Sequence, residues 1–211
     1  MYNKLFFLQV IFLLKNPCSI LGESQVFAAH KHLNLLIKYD KVFIGDYRIS
    51  TNKPYITAKD AIGDLPNLKS GKYATKYELE PFCDYQKMMR KNVKMNGLKN
   101  HKAPNHPVDV IRKIESTIPG KPMYPKLKQR IRLAWDIQNP TQVSGGIKPQ
   151  FQFGHPSNSR DLTIRERCRL QSFPDDFVLF GGIVQGRVQT GNAVPPLLTK
   201  TIALAITRIE R

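Results

Sequence analysis

The segment 160–177 constrains the fold most, because it carries the clearest helix start and stop signals in the chain. Thr163 is followed three positions later by Glu166, and this spacing is typical of a capping box at a helix N-terminus. The pattern predicts a helix that begins here and runs to about Ser172, and Pro174 then ends it. At least this part of the chain is therefore expected to be α-helical.

A second helix is predicted close to the end of the chain. A Gly-Asn turn leads into Pro195 and Pro196, which suit the first positions of a helix. Such a helix must bury its apolar face against another part of a fold. The face has helical spacing and consists of Leu198, Ile202, Ala205, Ile206 and Ile209.

The remaining elements are shorter. The pattern predicts a strand over 41–48, one helical turn over 57–66, and short strands and turns over 122–153. Residues 69–102 carry nine basic and three acidic side chains without a sustained period, so a loop-rich basic segment is expected. A helix is predicted over 108–120 from four apolar residues at helical spacing, namely Val110, Ile111, Ile114 and Ile118.

The charge of the chain points to a partner. Among its 211 residues, 33 are basic and 16 acidic, which gives a formal net charge of +17, and 41% are hydrophobic. This hydrophobic content allows a modest core and argues against a wholly disordered chain. A positive surplus of this size attracts phosphates and releases counterions on contact, so a nucleic acid is the first partner to consider. A merely basic surface is the alternative.

The cysteines and the N-terminal segment set further limits. Cys18, Cys83 and Cys168 are odd in number and widely spaced, so neither a disulfide framework nor a metal site is indicated, and a reducing cytoplasm is expected. The apolar run 5–14 is too short to span a bilayer. It can be interpreted as a secretory signal, a buried strand or the start of a truncated gene product, and the last two are favoured.

Two segments in the last third of the chain resemble a known family. RDLTIRERCRLQSFPDDF (160–177) followed by QTGNAVPPLLTKTIA (189–203) is similar to the last two sequence blocks of bacterial restriction-modification DNA cytosine-5 methyltransferases. KVFIGDYR (41–48) and DAIGDLP (60–66) resemble what precedes the target-recognition region in that family. The resemblance covers roughly residues 41–206.

The resemblance implies an α/β fold that is an incomplete S-adenosylmethionine-dependent methyltransferase. Residues 41–68 would end the Rossmann-like catalytic core, and residues 69–150 would form a small, irregular, mostly β target-recognition domain. Residues 151–211 would carry the last two family blocks and a C-terminal helix that packs on the catalytic domain. Residues 1–40 match no family block and are left as an unplaced or aberrant segment.

The family's catalytic blocks are absent from the sequence. It contains no Gly-rich FxGxG loop, no Glu-Asn-Val and no Pro-Cys-Gln. The single Pro-Cys pair, at Cys18, lacks the family's flanking residues and lies too close to residues 41–48, so we interpret this cysteine as an ordinary thiol. In the family, a Gln-x-Arg-x-Arg block contacts DNA, and the matching stretch 37–41 of this sequence retains one of its basic positions. No catalytic residue is therefore assigned.

Four basic residues are candidates for DNA contact. Arg130 and Arg132 alternate, so on a strand both guanidinium groups would lie on one face and could reach guanine edges, or else contact phosphate or solvent. Lys148 follows two glycines that allow a close approach to the duplex. By resemblance, Arg165 would organise the recognition domain and touch a backbone phosphate. An exposed helix arginine and a solvated strand face are the alternatives.

The resemblance also places part of a cofactor site. Asn192, Ala193 and Val194 match the turn that helps close the S-adenosylmethionine pocket in the family. Cys168 is expected to be a small core residue. Tyr77, Tyr85 and Trp135 are expected in packing, and His101 and His106 in loops.

These features predict the C-terminal part of a DNA cytosine-5 methyltransferase that recognises duplex DNA but does not methylate alone. It would be a remnant, or one half of a split enzyme whose partner is a separate N-terminal catalytic half. The alternatives are a non-enzymatic, sequence-specific DNA-binding module and non-specific binding of RNA or DNA. The expected location is the cytoplasm.

Overall fold

The computed structural model of the chain describes residues 55–143, 152–200 and 203, which belong to one unit, Tyr55–Arg211. The predicted strand 41–48, Lys148 and all but the start of the predicted C-terminal helix lie outside the described residues. Short helices dominate the described part, and its two strands have two residues each. The elements are α1 (Ala58–Ile62), α2 (Asp84–Arg90), α3 (Val108–Ser116), β1 (Ile131–Arg132), β2 (Phe153–Gly154), α4 (Ile164–Leu170) and α5 (Ile183–Asn192).

The sheet is smaller than the sequence suggested. β1 and β2 pair in parallel, with Ile131 opposite Phe153 and Arg132 opposite Gly154. Isolated bridges add further pairing, such as Tyr73 with Lys102. The predicted short strands of 122–153 are present, but turns outnumber strand residues in the described part of 69–150. The expectation of a mostly β segment is not confirmed there.

Helix α4 lies at the centre and packs against both α1 and α5. On its α1 side, buried apolar side chains form the main core, and a smaller cluster of Ile164, Cys168, Phe173 and Leu179 lies on the other side. The expected packing role of Cys168 is confirmed. The main core comprises Ala61, Ile62, Leu65, Tyr77, Tyr85, Met89, Leu98, Leu133, Phe153 and Leu162.

The capping box at Thr163 is confirmed. The Thr163 hydroxyl accepts from the Glu166 amide at 3.1 Å, and a Glu166 carboxylate oxygen accepts from the Thr163 amide at 2.7 Å. The helix ends at Leu170, because Ser172 adopts a left-handed backbone conformation with φ of 58°. A second capping box, which the sequence analysis did not identify, joins Thr57 and Asp60 at the start of α1.

The helix predicted over 108–120 is present but shorter. It ends at Ser116, because Thr117 adopts an extended conformation and its hydroxyl donates to the Lys113 carbonyl at 2.7 Å. Ile114 is fully buried, as its place on the apolar face requires. Ile118 lies beyond the helix and is 69% exposed, so the prediction that the helix includes it was wrong.

Helices α2 and α5 were not predicted. Helix α5 contains the Gly-Asn pair that had been assigned to a turn, and helical structure resumes over 196–200. Its sequence has two glycines and no apolar periodicity, which hides a helix from pattern analysis. Gly186 is required by packing, since a Cβ at this position would lie 2.7 Å from Cδ1 and Cγ1 of Ile164 on α4.

We expect Gly186→Ala to destabilise the protein. Helix propensity alone would stabilise it by about 0.5–1 kcal/mol, but overpacking against α4 costs about 1–3 kcal/mol. The expected net loss is about 1 kcal/mol in urea unfolding, whereas Val188→Ala, on the exposed side of the same helix, should change stability by less than about 0.5 kcal/mol. A stabilised Gly186→Ala variant would show that α4 and α5 are not in close contact.

Candidate nucleic-acid interface

Four arginines are buried in and beside α4, although arginine is rarely found inside proteins without a charged partner. Each has at most 1% of its surface exposed. Three of them lie within 3.5 Å of a buried carboxylate, and Arg167 donates to the Thr190 hydroxyl at 3.0 Å. The interior of this basic protein therefore contains a network of charge-assisted hydrogen bonds. The four are Arg160, Arg165, Arg167 and Arg169.

Arg169 is the most highly connected of the four. Its guanidinium donates to both carboxylate oxygens of Asp175, at 2.6 and 2.7 Å, and to both of Asp64, at 3.1 and 3.2 Å. It also donates to the Ala61 carbonyl at 3.1 Å, at the end of α1. Burial lowers the pKa of Arg169, but Asp175 and Asp64 outweigh burial and raise the pKa above its ordinary value. This residue therefore stays charged and joins α4 to α1.

Arg160 and Glu166 form a second buried pair. Two Arg160 nitrogens donate to the two carboxylate oxygens of Glu166, at 2.7 and 2.9 Å. Burial raises the pKa of Glu166. The charge and the hydrogen bonds of Arg160 have a larger, opposite effect, so the pKa lies well below its usual range. Arg160 also donates to the Leu68 carbonyl at 2.8 Å. The pair fixes the chain after α1 against the start of α4.

Arg165 does not face solvent. Its guanidinium donates to the carbonyls of Lys99 at 3.0 Å, Pro174 at 3.1 Å and Phe177 at 2.8 Å, and the side chain is fully buried. Its predicted organising role fits this arrangement, because one side chain holds two separate segments. The predicted phosphate contact is corrected, since in the described structure no guanidinium nitrogen is accessible to a phosphate.

Arg130 and Arg132, which flank Ile131, make different contacts in the structure. Arg132 is half-buried and donates to carbonyls at the end of α3, those of Ile114 at 3.2 Å, Glu115 at 3.1 Å and Thr117 at 3.0 Å. Its Nε donates to the His155 carbonyl at 3.3 Å. Burial lowers the pKa of Arg132, and the charge of Glu115 raises it. Its guanidinium caps a helix, and its predicted contact with guanine stays a prediction.

Arg130 keeps a partly exposed side chain. Its guanidinium carbon lies 5.8 Å from the centre of the Tyr124 ring, and its backbone carbonyl accepts from the Met123 amide at 2.7 Å. A cation beside an aromatic ring at this distance is held weakly. Arg130 therefore remains available for contact with nucleic acid, and its predicted role stays a prediction.

The turn 192–194 begins at Asn192, the last residue of α5. Asn192 and Val194 are exposed and Ala193 is half-buried. Within the described residues, the Asn192 side chain makes no hydrogen bond. The turn thus presents one amide and one apolar side chain on the surface, which can form one wall of a ligand site.

Three histidines form buried contacts that sequence reasoning missed. His101 bridges the Thr163 hydroxyl at 3.0 Å and the Pro66 carbonyl at 2.9 Å, and burial lowers its pKa. Burial also lowers the pKa of His155 and that of His106 to about 4. Nothing local in the sequence marks His101 and His106, because their partners lie tens of residues away. His155 instead accepts from two nearby backbone amides, at 3.1 and 3.0 Å.

Of the two described cysteines, Cys168 does not suit covalent catalysis. Cys168 is fully buried, and burial raises the pKa of its thiol to about 11. Cys83 is half-buried beside α2.

No group of three metal-ligating side chains occurs within the described ranges. In the same part of the chain, no helix has the length and apolar content needed to cross a membrane.

Comparison with known proteins shows which proteins this chain is similar to. The sequence profile of the C-5 cytosine-specific DNA methylase family matches residues 26–208. The chain is 31% identical to the type II methyltransferase M1.HphI of Haemophilus parahaemolyticus over 166 residues, which is 74% of this chain and 38% of the relative. It is 30% identical to M.Bpa9945I of Bacillus paralicheniformis, over 86% of this chain and 46% of that relative.

A solved structure supports the fold. A protein described as a DNA modification methyltransferase encoded within an E. coli prophage matches with a TM-score of 0.59 and 21% identity, over 75% of this chain and 48% of that chain. The fold of a DNA methyltransferase is therefore supported. The chain spans less than half the length of the curated relatives described above.

The buried network generates a stability prediction. Arg169→Met should cost about 3–5 kcal/mol of unfolding free energy, because it leaves the carboxylates of Asp64 and Asp175 buried without their main cation. Arg112→Met removes the same charge from an exposed position on α3 and should change stability by less than about 0.5 kcal/mol. Equal effects of the two substitutions, measured by urea unfolding, would contradict the network.

The buried histidines predict acid sensitivity. The pKa of His155 is about 4 in the folded state against 6.5 in an unfolded chain, so stability is retained above pH 6.5 and is lost as the pH falls toward 4. Between pH 7 and 5 this residue alone should account for a loss of about 2 kcal/mol. His155→Gln should therefore reduce the difference in unfolding free energy between the two pH values by that amount. An unchanged difference would contradict the assignment.

Proposed function

The chain belongs to the C-5 cytosine-specific DNA methylase family, and from this we propose that it supplies the DNA-recognition part of a cytosine-5 methyltransferase. The reaction transfers a methyl group from S-adenosylmethionine to C5 of a cytosine within a specific duplex site. One observation carries the proposal: the family profile extends over residues 26–208, yet those residues contain none of the three catalytic blocks. Recognition and chemistry would then belong to different stretches of polypeptide.

The chemistry explains why these residues do not suffice. Cytosine C5 is a weak nucleophile, so a thiolate must add to C6 while an acid supports protonation at N3, and the base must first leave the duplex. Cys168 does not fit the thiolate role, because it is fully buried and its pKa is raised to about 11. Glu166 does not fit the acid role, because Arg160 binds both of its carboxylate oxygens.

The turn 192–194 fits one wall of a cofactor site. The Asn192 amide and the Val194 side chain are exposed, so they can contact the polar and apolar parts of a bound nucleoside. S-adenosylmethionine would supply the methyl group when bound. We assign Asn192, Ala193 and Val194 to closing that pocket from one side, and the remaining walls to the Gly-rich block that this chain lacks.

The surface near this turn supports a partner polypeptide. Five apolar side chains on and after α5 are between 37% and 56% exposed, and an exposed apolar area of this kind marks an interaction site. We propose that an N-terminal catalytic half covers it, as a preceding part of a longer protein or as a separate chain in the cytoplasm. The five are Val184, Val188, Val194, Leu197 and Leu198.

Methyl transfer tests this division of roles. Labelled S-adenosylmethionine and mixed-sequence duplex DNA are incubated with this chain, with an N-terminal half of a relative that contains the three catalytic blocks, and with both. We expect no methyl incorporation above background from either polypeptide alone and incorporation from the mixture. Incorporation by this chain alone would overturn the proposal.

Binding measurements distinguish the alternative. A non-enzymatic DNA-binding module would bind one defined duplex sequence in a salt-dependent manner, without a partner chain, and would not restore methylation in the mixture. This combination of results would replace the proposed function by sequence-specific binding alone.

A further inference from the structure

A basic cleft lies between the end of α3 and a hairpin that we define as residues 120–132. Backbone hydrogen bonds close the hairpin, from the Arg132 amide to the Lys121 carbonyl at 3.1 Å and from the Met123 amide to the Arg130 carbonyl at 2.7 Å. The cleft has a volume of about 470 Å³. Its charged lining consists of Lys113, Lys121 and Lys128, which are all exposed, and no acidic side chain of the described residues lines it.

The end of α3 would normally repel an anion in this position. Unpaired carbonyls give a helix C-terminus a partial negative charge. Here Arg132 donates to the carbonyls of Ile114, Glu115 and Thr117 and places a full positive charge at this end of the helix. The nearby Glu115 interacts with Arg132 and is not part of the cleft lining. The charged side chains that line the cleft are therefore all positive, with Lys113 on α3 and Lys121 and Lys128 on the hairpin.

An aromatic ring of the hairpin, that of Tyr124, lies near one cation from α3 and one from the hairpin. Lys113 Nζ on α3 and the Arg130 guanidinium carbon on the hairpin each lie 5.8 Å from the centre of the Tyr124 ring. Such contacts are weak at exposed sites, but they restrict two long side chains that would otherwise be free. These two side chains therefore lose less conformational entropy when an anion binds.

We propose that this cleft holds the sugar-phosphate backbone of duplex DNA, with Lys113, Lys121 and Lys128 contacting phosphates and Arg132 neutralising the helix end beneath them. The inference rests on the proposed function and names the place where that function holds the duplex. Lysines act as point charges for phosphates, so these contacts position the DNA without reading its sequence. Arg130, at the edge of the same hairpin, remains the candidate for base contact.

The salt dependence of binding tests the proposal. The full chain is titrated with short labelled duplexes of two unrelated sequences, and fluorescence anisotropy is followed between about 50 and 200 mM salt. The variant Lys113→Gln, Lys121→Gln, Lys128→Gln should bind both duplexes more weakly. The slope of log K against log salt should fall by about 0.9 for each phosphate contact removed, or about 3 in total.

Two matched variants complete the design. Lys91→Gln, Lys94→Gln, Lys99→Gln removes the same charge from exposed positions outside the cleft and should leave the slope within about 1 of the wild-type value. Arginine at positions 113, 121 and 128 keeps the charge and should retain the wild-type slope. Because all of these side chains are exposed, every variant should keep the wild-type melting temperature.

Each outcome has a distinct meaning. Equal loss of slope in the cleft variant and in the matched variant would overturn the cleft as the site, because binding would then follow overall charge. An unchanged slope in the cleft variant would also overturn it, while DNA recognition by the chain would stand. Absence of wild-type binding to any duplex at low salt would overturn the proposed function together with this inference.

Discussion

The buried hydrogen bonds between arginines and carboxylates around α4 are the interaction on which the rest of the described structure depends. One seven-residue helix contacts several distant segments through its charged side chains. Arg169 reaches the end of α1, Arg165 reaches the carbonyls of Lys99 and Phe177, and Glu166 accepts from Arg160. Asp175 adds a further connection, because its amide donates to the Met89 carbonyl at the end of α2 at 2.8 Å.

The physical meaning of this network lies in specificity more than in net stability. Buried ion pairs lose their hydration, and apolar residues of the same size often stabilise a protein equally well. An unpaired buried charge is costly, however, so each arginine permits only arrangements that bring its own carboxylates and carbonyls to it. This constraint explains how a chain with short helices and four strand residues in its described part still has one defined packing.

Local signals in the sequence were sufficient for some elements and insufficient for others. The capping box at Thr163 could be predicted because both of its partners lie within four residues. The end of α3 could be predicted to within four residues of its position at Ser116. Helix α5 escaped prediction because close packing on Ile164 requires glycine in the middle of a helix. Arg165 was expected to contact DNA because a sequence shows the type of a side chain but not the distant carbonyls that it binds. His101 and His106 were missed because their partners are also distant in sequence.

The described fold and the missing motifs lead to one account of function. The described residues contain a core and a charge network, together with an exposed basic hairpin and an exposed apolar area beside the turn 192–194. These features support the proposed role, in which the chain holds a duplex and docks onto a catalytic half. Cys168 does not suit the thiolate role that the reaction requires, because it is fully buried.

Covalent trapping on a duplex that contains 5-fluorocytosine tests this account most directly, because the fluorine blocks the step that normally releases the attacking cysteine. The chain is incubated with the duplex and S-adenosylmethionine, alone and together with an N-terminal half that contains the Pro-Cys-Gln block, and adducts are separated under denaturing conditions. The account predicts no adduct with this chain alone and, in the mixture, an adduct on the N-terminal half. An adduct between this chain by itself and the duplex would contradict it.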